Sequence, residues 1–556
     1  MNFEPDFIRK AREKFSVSLY PWQQLVISNI LTGYETHCKT VSDSFNEEID
    51  SEILYDEDGC SRAREIVLLP TGAGKSLCFQ VPSLILPGAT LVIYPLLALM
   101  ADQKRRLDSC GIDSVVLRGG QSIEERNIIF KKIDSGIKFI IANPEILSSG
   151  KILTELKKSN ITHLVIDEAH CCTQWGDSFR PSYLELTKIV EFLDPPVVTA
   201  FTATASPTVL NRINEIIFKG DAHIVRGDGD RTNLFFEVIK TESKDTSLVL
   251  QILKNKRPAV VFCNSRSGTE KTAKMLRRIL GEDDIKFYHA GMEKQEKTDT
   301  EKWFHDNPNG ILVCTCAWGM GVDKSDIKTV IHYNFPSTQE AYMQEAGRGG
   351  RDGSISKAIL LWSSRDEEKL IQVKNEYITS PANFFKAYVS DDYCRRKILL
   401  CALGENNFLE KGKPTKINNL EKYKINPSMI TIMDFIASQP SPEYFSCEIP
   451  SEDSYPDLKY EEKNSICSGC DVCFGSKAGM SDSEIVYNFV KKNNRRFNYE
   501  LLVNNLLKSF NSETLKKYKI KIWEPENIKL ILDFLLRQGR ISLTKFLPEK
   551  SRVIIN

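Results

Sequence analysis

The chain has 556 residues, 41% of them hydrophobic and 27% charged, with 74 Lys and Arg balanced by 74 Asp and Glu. This composition excludes a disordered or fibrous chain and predicts a soluble protein of three or four domains, while the zero net charge offers no global electrostatic argument for a nucleic-acid partner. The N-terminus, MNFEPDFIRKAREKF, has no apolar signal region, and no stretch reaches the roughly 18 apolar residues of a membrane span. The expected setting is therefore cytoplasmic, nucleoid-associated in a bacterium or nuclear in a eukaryote, with no membrane contact.

Short β-branched runs open the chain: REIVLL at 64–69, TLVIY at 90–94, KFIIA at 138–142, HLVI at 163–166 and VVTAFT at 197–202. Separated by helical patterns, they predict buried parallel strands of an α/β lobe. A second series, AVVF at 259–262, ILVC at 311–314, TVIHY at 329–333 and KAILL at 357–361, predicts a second lobe. The expected boundaries are 1–216 and 217–372 for the lobes, with an acidic insertion at about 35–62 that reads as a solvated surface loop.

A helical region follows at 373–478, with a polar insertion at about 402–465. The last unit, 479–556, reads as three helices and then a hairpin, ISLTKF and SRVIIN, which is the order of a winged helix. Residues 480–556 carry 15 Lys and Arg against 8 Asp and Glu, a basic excess suited to phosphate contact.

The first lobe holds PTGAGKS at 70–76. Thr71, Gly72 and Gly74 let backbone amides approach phosphate, Lys75 reaches the β and γ oxygens, and Ser76 is a magnesium ligand. The strict eight-residue pattern would place glycine at Leu69. HLVI runs into Asp167-Glu168-Ala169-His170, where Asp167 is expected to hold magnesium, Glu168 to orient or deprotonate the attacking water, and His170 to couple the site to the other lobe. Thr202 and Thr204 in FTATA are candidates for relaying nucleotide state.

In the second lobe, YMQEAGRGGRDG at 342–353 presents Gln344, Arg348 and Arg351 on a glycine-relaxed segment, as needed to reach a γ-phosphate bound by the facing lobe. Gly319, Gly321 and Asp323 form a turn whose backbone suits phosphate, and Asp323 is counted with the nucleotide-binding candidates. Most cysteines, such as Cys78, Cys263 and Cys314, sit singly in apolar runs and read as reduced core residues. Cys467, Cys470 and Cys473 instead have ligand spacing, and with Cys394 they give four thiolates that suit a closed tetrahedral zinc site, structural and not catalytic.

These strings, in this order, resemble superfamily-2 helicases, and within them the RecQ family, because DEAH continues as CCTQWGDSFRPSYLEL. The resemblance implies two RecA-like lobes, a helical zinc-binding subdomain and a winged helix. It implies ATP-driven 3′-to-5′ movement on single-stranded DNA with unwinding of duplex, in repair, recombination or genome defence, using ATP, magnesium and zinc. It assigns DNA sensing to Gln174, Trp175, Phe179, Arg180 and Pro181, and adenine recognition to Gln23 in SLYPWQQ, with Tyr20 in place of arginine and able to stack on the base.

Further departures from the family pattern are Asp177-Ser178, Lys297, Glu301 and the long gap between Cys394 and Cys467, which holds Cys447. No further C-terminal helical domain is expected, so targeting would fall to the insertions, the winged helix or a protein partner. Phe546 is a candidate strand-separating wedge. The alternatives are a translocase that does not separate strands, a catalytically silent DNA-binding scaffold and an RNA helicase.

Overall fold

The computed structural model describes residues 5–42, 63–70, 72–174, 181–227, 229–318, 324–372, 381–391, 393–404, 430–431, 467, 469–473, 480–544 and 552–555. The chain divides into two compact units, the first made mainly of residues up to Asp230 and the second mainly of residues from Arg231 onwards.

The first unit is built on β1 (Arg64–Leu68), β2 (Ala89–Ile93), β3 (Ser114–Leu117), β4 (Phe139–Ala142), β5 (Ile161–Ile166), β6 (Val197–Thr202) and β7 (His223–Arg226). They pair in parallel in the order β7-β1-β6-β5-β2-β4-β3, and Ile430–Thr431 adds at the outer edge of β7. The runs are apolar throughout because helices cover both faces. Alternate residues then feed separate cores: Ile66, Leu68, Leu164 and Ile166 on one face, Val67, Leu69, Val165 and Phe201 on the other. The first unit continues past residue 216 because β7 pairs with β1, Ile66 opposite Ile224. The helix Pro21–Ser42 carries the start of the acidic segment; residues 43–62 lie outside the described residues.

The second unit contains β8 (Leu234–Lys240), β9 (Ala259–Phe262), β10 (Ile285–Tyr288), β11 (Ile311–Cys314), β12 (Thr329–His332) and β13 (Ser356–Trp362), parallel in the order β10-β11-β9-β12-β13-β8. Cys263 and Cys314 are buried and unbridged, as expected of single cysteines in apolar runs. The winged-helix order is realised by helices Asp482–Lys492, Tyr499–Tyr518 and Pro525–Arg537 and an antiparallel pair, Ile541–Leu543 with Val553–Ile555. Capping starts each helix: the side chains of Ser481 and Asn498 accept from the amides of Glu484 and Leu501, and Glu524 with Asn527 forms a reciprocal box ahead of Pro525.

This module docks on the six-stranded sheet. Ile522 is buried in one core with Leu248, Val249 and Ile331, and Tyr518, Ile520 and Trp523 pack against that core. Asp482, 9% exposed, accepts from the Thr241 hydroxyl at 2.7 Å and from the amides of Glu242 and Ser243 at 3.0 Å. Charge-assisted bonds of this kind contribute about 1.5–3 kcal/mol each. Asp482→Ala is therefore expected to loosen the winged helix from the sheet by about 3 kcal/mol. Limited proteolysis should then cut near residue 480, and an unchanged pattern would refute the docking role.

Among the described residues no helix is long and apolar enough to cross a membrane.

Candidate functional site

β1, β6 and β5 are adjacent, so their C-terminal ends bring the phosphate loop, Thr202 and the acidic box to one edge of the first sheet. β1 is continued by the Leu69 amide bonding to the Thr202 carbonyl at 3.1 Å. The chain turns through Gly72 and Gly74, at φ 90° and 73°, and Gly74 caps the helix Lys75–Ser83. Positive φ suits glycine at both positions, and a Cβ on Gly74 would also lie 2.4 Å from the side-chain nitrogen Nε2 of Gln23. Lys75 and Ser76 thus sit in the first turn of a helix, where free amides suit an anion. Thr71 lies outside the described residues.

Gln23 is braced against this loop. Its Nε2 donates to the carbonyls of Ala73 and Gly74, both at 3.2 Å, and its Oε1 accepts from the Tyr20 amide at 2.8 Å. The Tyr20 ring stacks on Trp22 with centroids 4.6 Å apart and stays 55% exposed. Ser76 Oγ accepts from Gln103 Nε2 at 3.4 Å, and Gln80 Nε2 donates to Gln103 Oε1 at 3.1 Å.

Asp167 is buried, its amide bonded to the Ile93 carbonyl at 3.0 Å. Burial, and after it the Glu168 charge, pushes the Asp167 carboxyl up to about 7 against the pull of Lys75. A buried carboxyl in that state gains from a divalent cation, and Asp167 with the Ser76 hydroxyl is a hard-oxygen pair suited to magnesium. Glu168 is held at φ 51°, a conformation rare outside glycine. It persists because the Ala169 amide bonds to the Phe201 carbonyl at 2.9 Å and the Cys171 amide to the Glu168 carbonyl at 2.9 Å.

His170 Nδ1 lies 3.0 Å from Thr202 Oγ1 and 3.4 Å from Glu168 Oε2. The Thr202 hydroxyl donates to the Thr204 carbonyl at 3.2 Å, so the His170–Thr202 bond is assigned with Nδ1–H as donor. The acidic box and FTATA are thereby joined by direct bonds within one unit. Of the DNA-sensing candidates, Gln174 ends the helix Cys171–Gln174 and Pro181 begins the turn Pro181–Glu185. Trp175, Phe179 and Arg180 lie outside the described residues, as do Gly319, Gly321, Asp323 and Phe546.

In the second unit Gln344 lies on the helix Gln339–Ala346, and Arg348 and Arg351 on the turn that follows. Glu345 anchors the helix by accepting from His332 Nε2 at 3.0 Å, and the guanidinium of Arg348, 5% exposed, lies 5.7 Å from the Trp318 ring centre. The turn is gripped by Arg231 and Asn233, which no motif marks. Lys297 donates to the Ala290 carbonyl at 2.7 Å and Glu301 accepts from the Tyr288 hydroxyl at 2.7 Å, so both departures from the family pattern support the segment 288–292 that runs on from β10.

The four cysteines come together, Cys394 joining the closely spaced Cys467, Cys470 and Cys473 across the long gap. The sulfurs of Cys394, Cys467, Cys470 and Cys473 lie within 4.8 Å of one another, and Cys394 and Cys470 are 3.8 Å apart. A zinc–sulfur length of about 2.3 Å gives a tetrahedral edge of about 3.8 Å, so this closed donor set fits structural zinc. The loop extends the sheet beyond β8: the Phe236 amide donates to the Gly469 carbonyl at 3.3 Å, and the Asp471 amide to the Phe236 carbonyl at 3.0 Å.

Comparison with known proteins agrees with this arrangement. Residues 21–213 match the DEAD/DEAH box helicase family and residues 244–353 the helicase conserved C-terminal domain. Two solved structures share the fold at a TM-score of 0.50: the DUF1998 helicase MrfA bound to DNA, 22% identical over 65% of this chain and 51% of that one, and the DEAD-box helicase Mss116 bound to ssRNA, 21% identical over 68% and 78%. The fold and its paired motifs define a superfamily-2 helicase core.

The sequence relatives narrow this further. The chain is 36% identical to the probable ATP-dependent DNA helicase RecS of Bacillus subtilis, over 56% of this chain and 64% of that protein. It is 32% identical to ATP-dependent DNA helicase RecQ of Pasteurella multocida, over 69% and 60%, and 33% identical to the RecQ-like DNA helicase blm-1 of Caenorhabditis elegans, over 66% and 40%. Over the aligned residues the chain is similar to RecQ helicases. It spans between 40% and 64% of the length of these relatives.

Proposed function

We propose that the protein is an ATP-dependent DNA helicase that couples ATP hydrolysis to 3′-to-5′ translocation on single-stranded DNA and to duplex unwinding. The observation that carries this reading is the convergence of Lys75, Ser76, Asp167, Glu168 and Thr202 at the ends of adjacent parallel strands, with His170 bonded to Thr202. Lys75 and the loop amides bind the phosphates, Glu168 orients or deprotonates the attacking water, and Gln23, which braces the loop through Ala73 and Gly74, must release one of those bonds to read the adenine edge. Ser76 and Asp167 would hold magnesium, which would supply charge neutralisation for the bound phosphates. Arg348 and Arg351 are assigned to the developing charge on the γ-phosphate, and Gln344 to positioning. The direction of movement follows the family resemblance.

Trp175 is assigned the sensing of single-stranded DNA, since base stacking on an aromatic is sequence-tolerant and contributes about 1–3 kcal/mol per base. ATP hydrolysis by the wild type is expected to rise at least tenfold with single-stranded DNA, and Trp175→Ala is expected to lose most of that rise while keeping basal turnover. The wild type should also displace a strand from a duplex with a 3′ tail. Stimulation without displacement would indicate a translocase, and a wild type indifferent to DNA would refute the reading.

A further inference from the structure

The turn bearing Arg348 and Arg351 is held in place by a residue distant in sequence. Arg231, the first residue of the second unit, directs its guanidinium fork at main-chain carbonyls: Nη1 donates to Gly347 at 3.3 Å, and Nη2 to Gly349 at 3.1 Å and Gly350 at 2.8 Å. The Asn233 amide donates to the Gly350 and Ser354 carbonyls, each at 2.8 Å, and its Oδ1 accepts from Arg231 Nε at 3.2 Å.

The clamp is itself fixed. Buried Arg396 donates through Nη1 to the Arg231 carbonyl at 3.0 Å and through Nη2 to the Leu234 carbonyl. The turn has no room to slide: a Cβ on Gly349 would lie 2.2 Å from Ser356 Oγ, and one on Gly350, at φ 54°, would lie 2.2 Å from the Ser354 carbonyl. Burial, and next the nearby Arg351, pull the Arg231 guanidinium down to about 10. The Asp352 charge and the carbonyl contacts hold the cation there despite the like charge.

We propose that Arg231 is a positioning residue for ATP hydrolysis: by fixing the main chain from Gly347 to Gly350 it aims Arg348 and Arg351, and it acts through them without touching nucleotide. The inference rests on the ATPase reading above. The segment Gly347-Arg348-Gly349-Gly350-Arg351 is rich in glycine and has little stiffness of its own. A displacement of about 1 Å at a charge-stabilising group costs on the order of 100-fold in rate. Lysine, a compact point charge, cannot span three carbonyls as a planar fork does.

The test is steady-state ATP hydrolysis at saturating single-stranded DNA, with thermal unfolding followed in parallel. Arg231→Gln and Arg231→Lys are each expected to lower kcat about 10- to 100-fold, with KM for ATP and the unfolding temperature little changed. In a background carrying Arg348→Ala and Arg351→Ala, Arg231→Gln is expected to add almost nothing, because it acts through those side chains. A full multiplicative loss in that background, or a fall in kcat that tracks the unfolding temperature, would overturn the positioning role. Should Arg231→Gln fail to fold, Asn233→Ala takes its place, with the same split between kcat and KM expected and an unchanged kcat overturning the proposal. If the wild type hydrolyses ATP without DNA stimulation, the functional reading falls with the inference; if it is stimulated and Arg231→Gln equals it, the inference alone falls.

Discussion

Glu168→Gln is expected to lower kcat for ATP hydrolysis by about 10²- to 10⁴-fold, the range for removing a positioned general base. The substitution keeps the volume of the side chain and the backbone bonds that hold residue 168 at φ 51°, so the loop should not move. It also removes the charge that, after burial, pushes the Asp167 carboxyl up, so the unfolding temperature should not fall. Nucleotide binding, read with a fluorescent ATP analogue, should persist in Glu168→Gln and be lost in Lys75→Ala, because the proposed roles place Lys75 on the phosphates in the ground state and Glu168 on the water. Hydrolysis by Glu168→Gln within about threefold of wild type would place the base elsewhere.

Loss of the metal is expected to be the largest stability effect. Purified protein should contain one zinc per chain. Cys470→Ser, or a strong chelator, should remove it and lower the unfolding temperature of the second unit. Cys470 lies beside Asp471, whose Oδ2 accepts from the Val238 amide at 3.0 Å and whose Oδ1 accepts from Arg395 Nε at 2.9 Å. Arg395 is 0% and Asp471 2% exposed.

Releasing the cysteine loop would pull Asp471 away and leave the Arg395 charge buried with Asp391 as its remaining ion partner. Breaking one side of such a buried pair costs about 3–5 kcal/mol, which for a unit of this size lowers the unfolding temperature by about 10 °C. Calorimetry with and without chelator reads the shift directly. A protein that carries no zinc and melts unchanged in chelator would show that the four thiols are only packed together.

Much of the architecture is readable one segment at a time. HLVI at 163–166 becomes β5 because a β-branched apolar run suits a strand covered on both faces, and the winged helix announces itself through caps and element order. The phosphate loop, the acidic box, the arginine turn and the string Cys467, Cys470 and Cys473 are equally local, since each chemistry needs its groups at short, fixed spacing, whereas Cys394 joins that string only through the fold. Other features depend on contacts between residues far apart in the chain. Gln103 reaches Ser76 across 27 positions, Arg231 grips Gly347 across 116, Asp471 meets Arg395 across 76, and Asp482 docks the winged helix on Thr241 across 241.

The end of the first unit belongs to the same class. It falls at Asp230 because β7 adds to β1, a pairing between His223–Arg226 and Arg64–Leu68 that has no sequence signal of its own. An arginine or glutamine bound to carbonyls is, as a letter in the chain, the same as one on a solvated face. Local spacing specifies which chemistry the chain carries, because a loop or a capped helix is made by neighbours. Packing specifies what holds that chemistry still, because a buried polar side chain must find its partner wherever the fold brings one within hydrogen-bond reach.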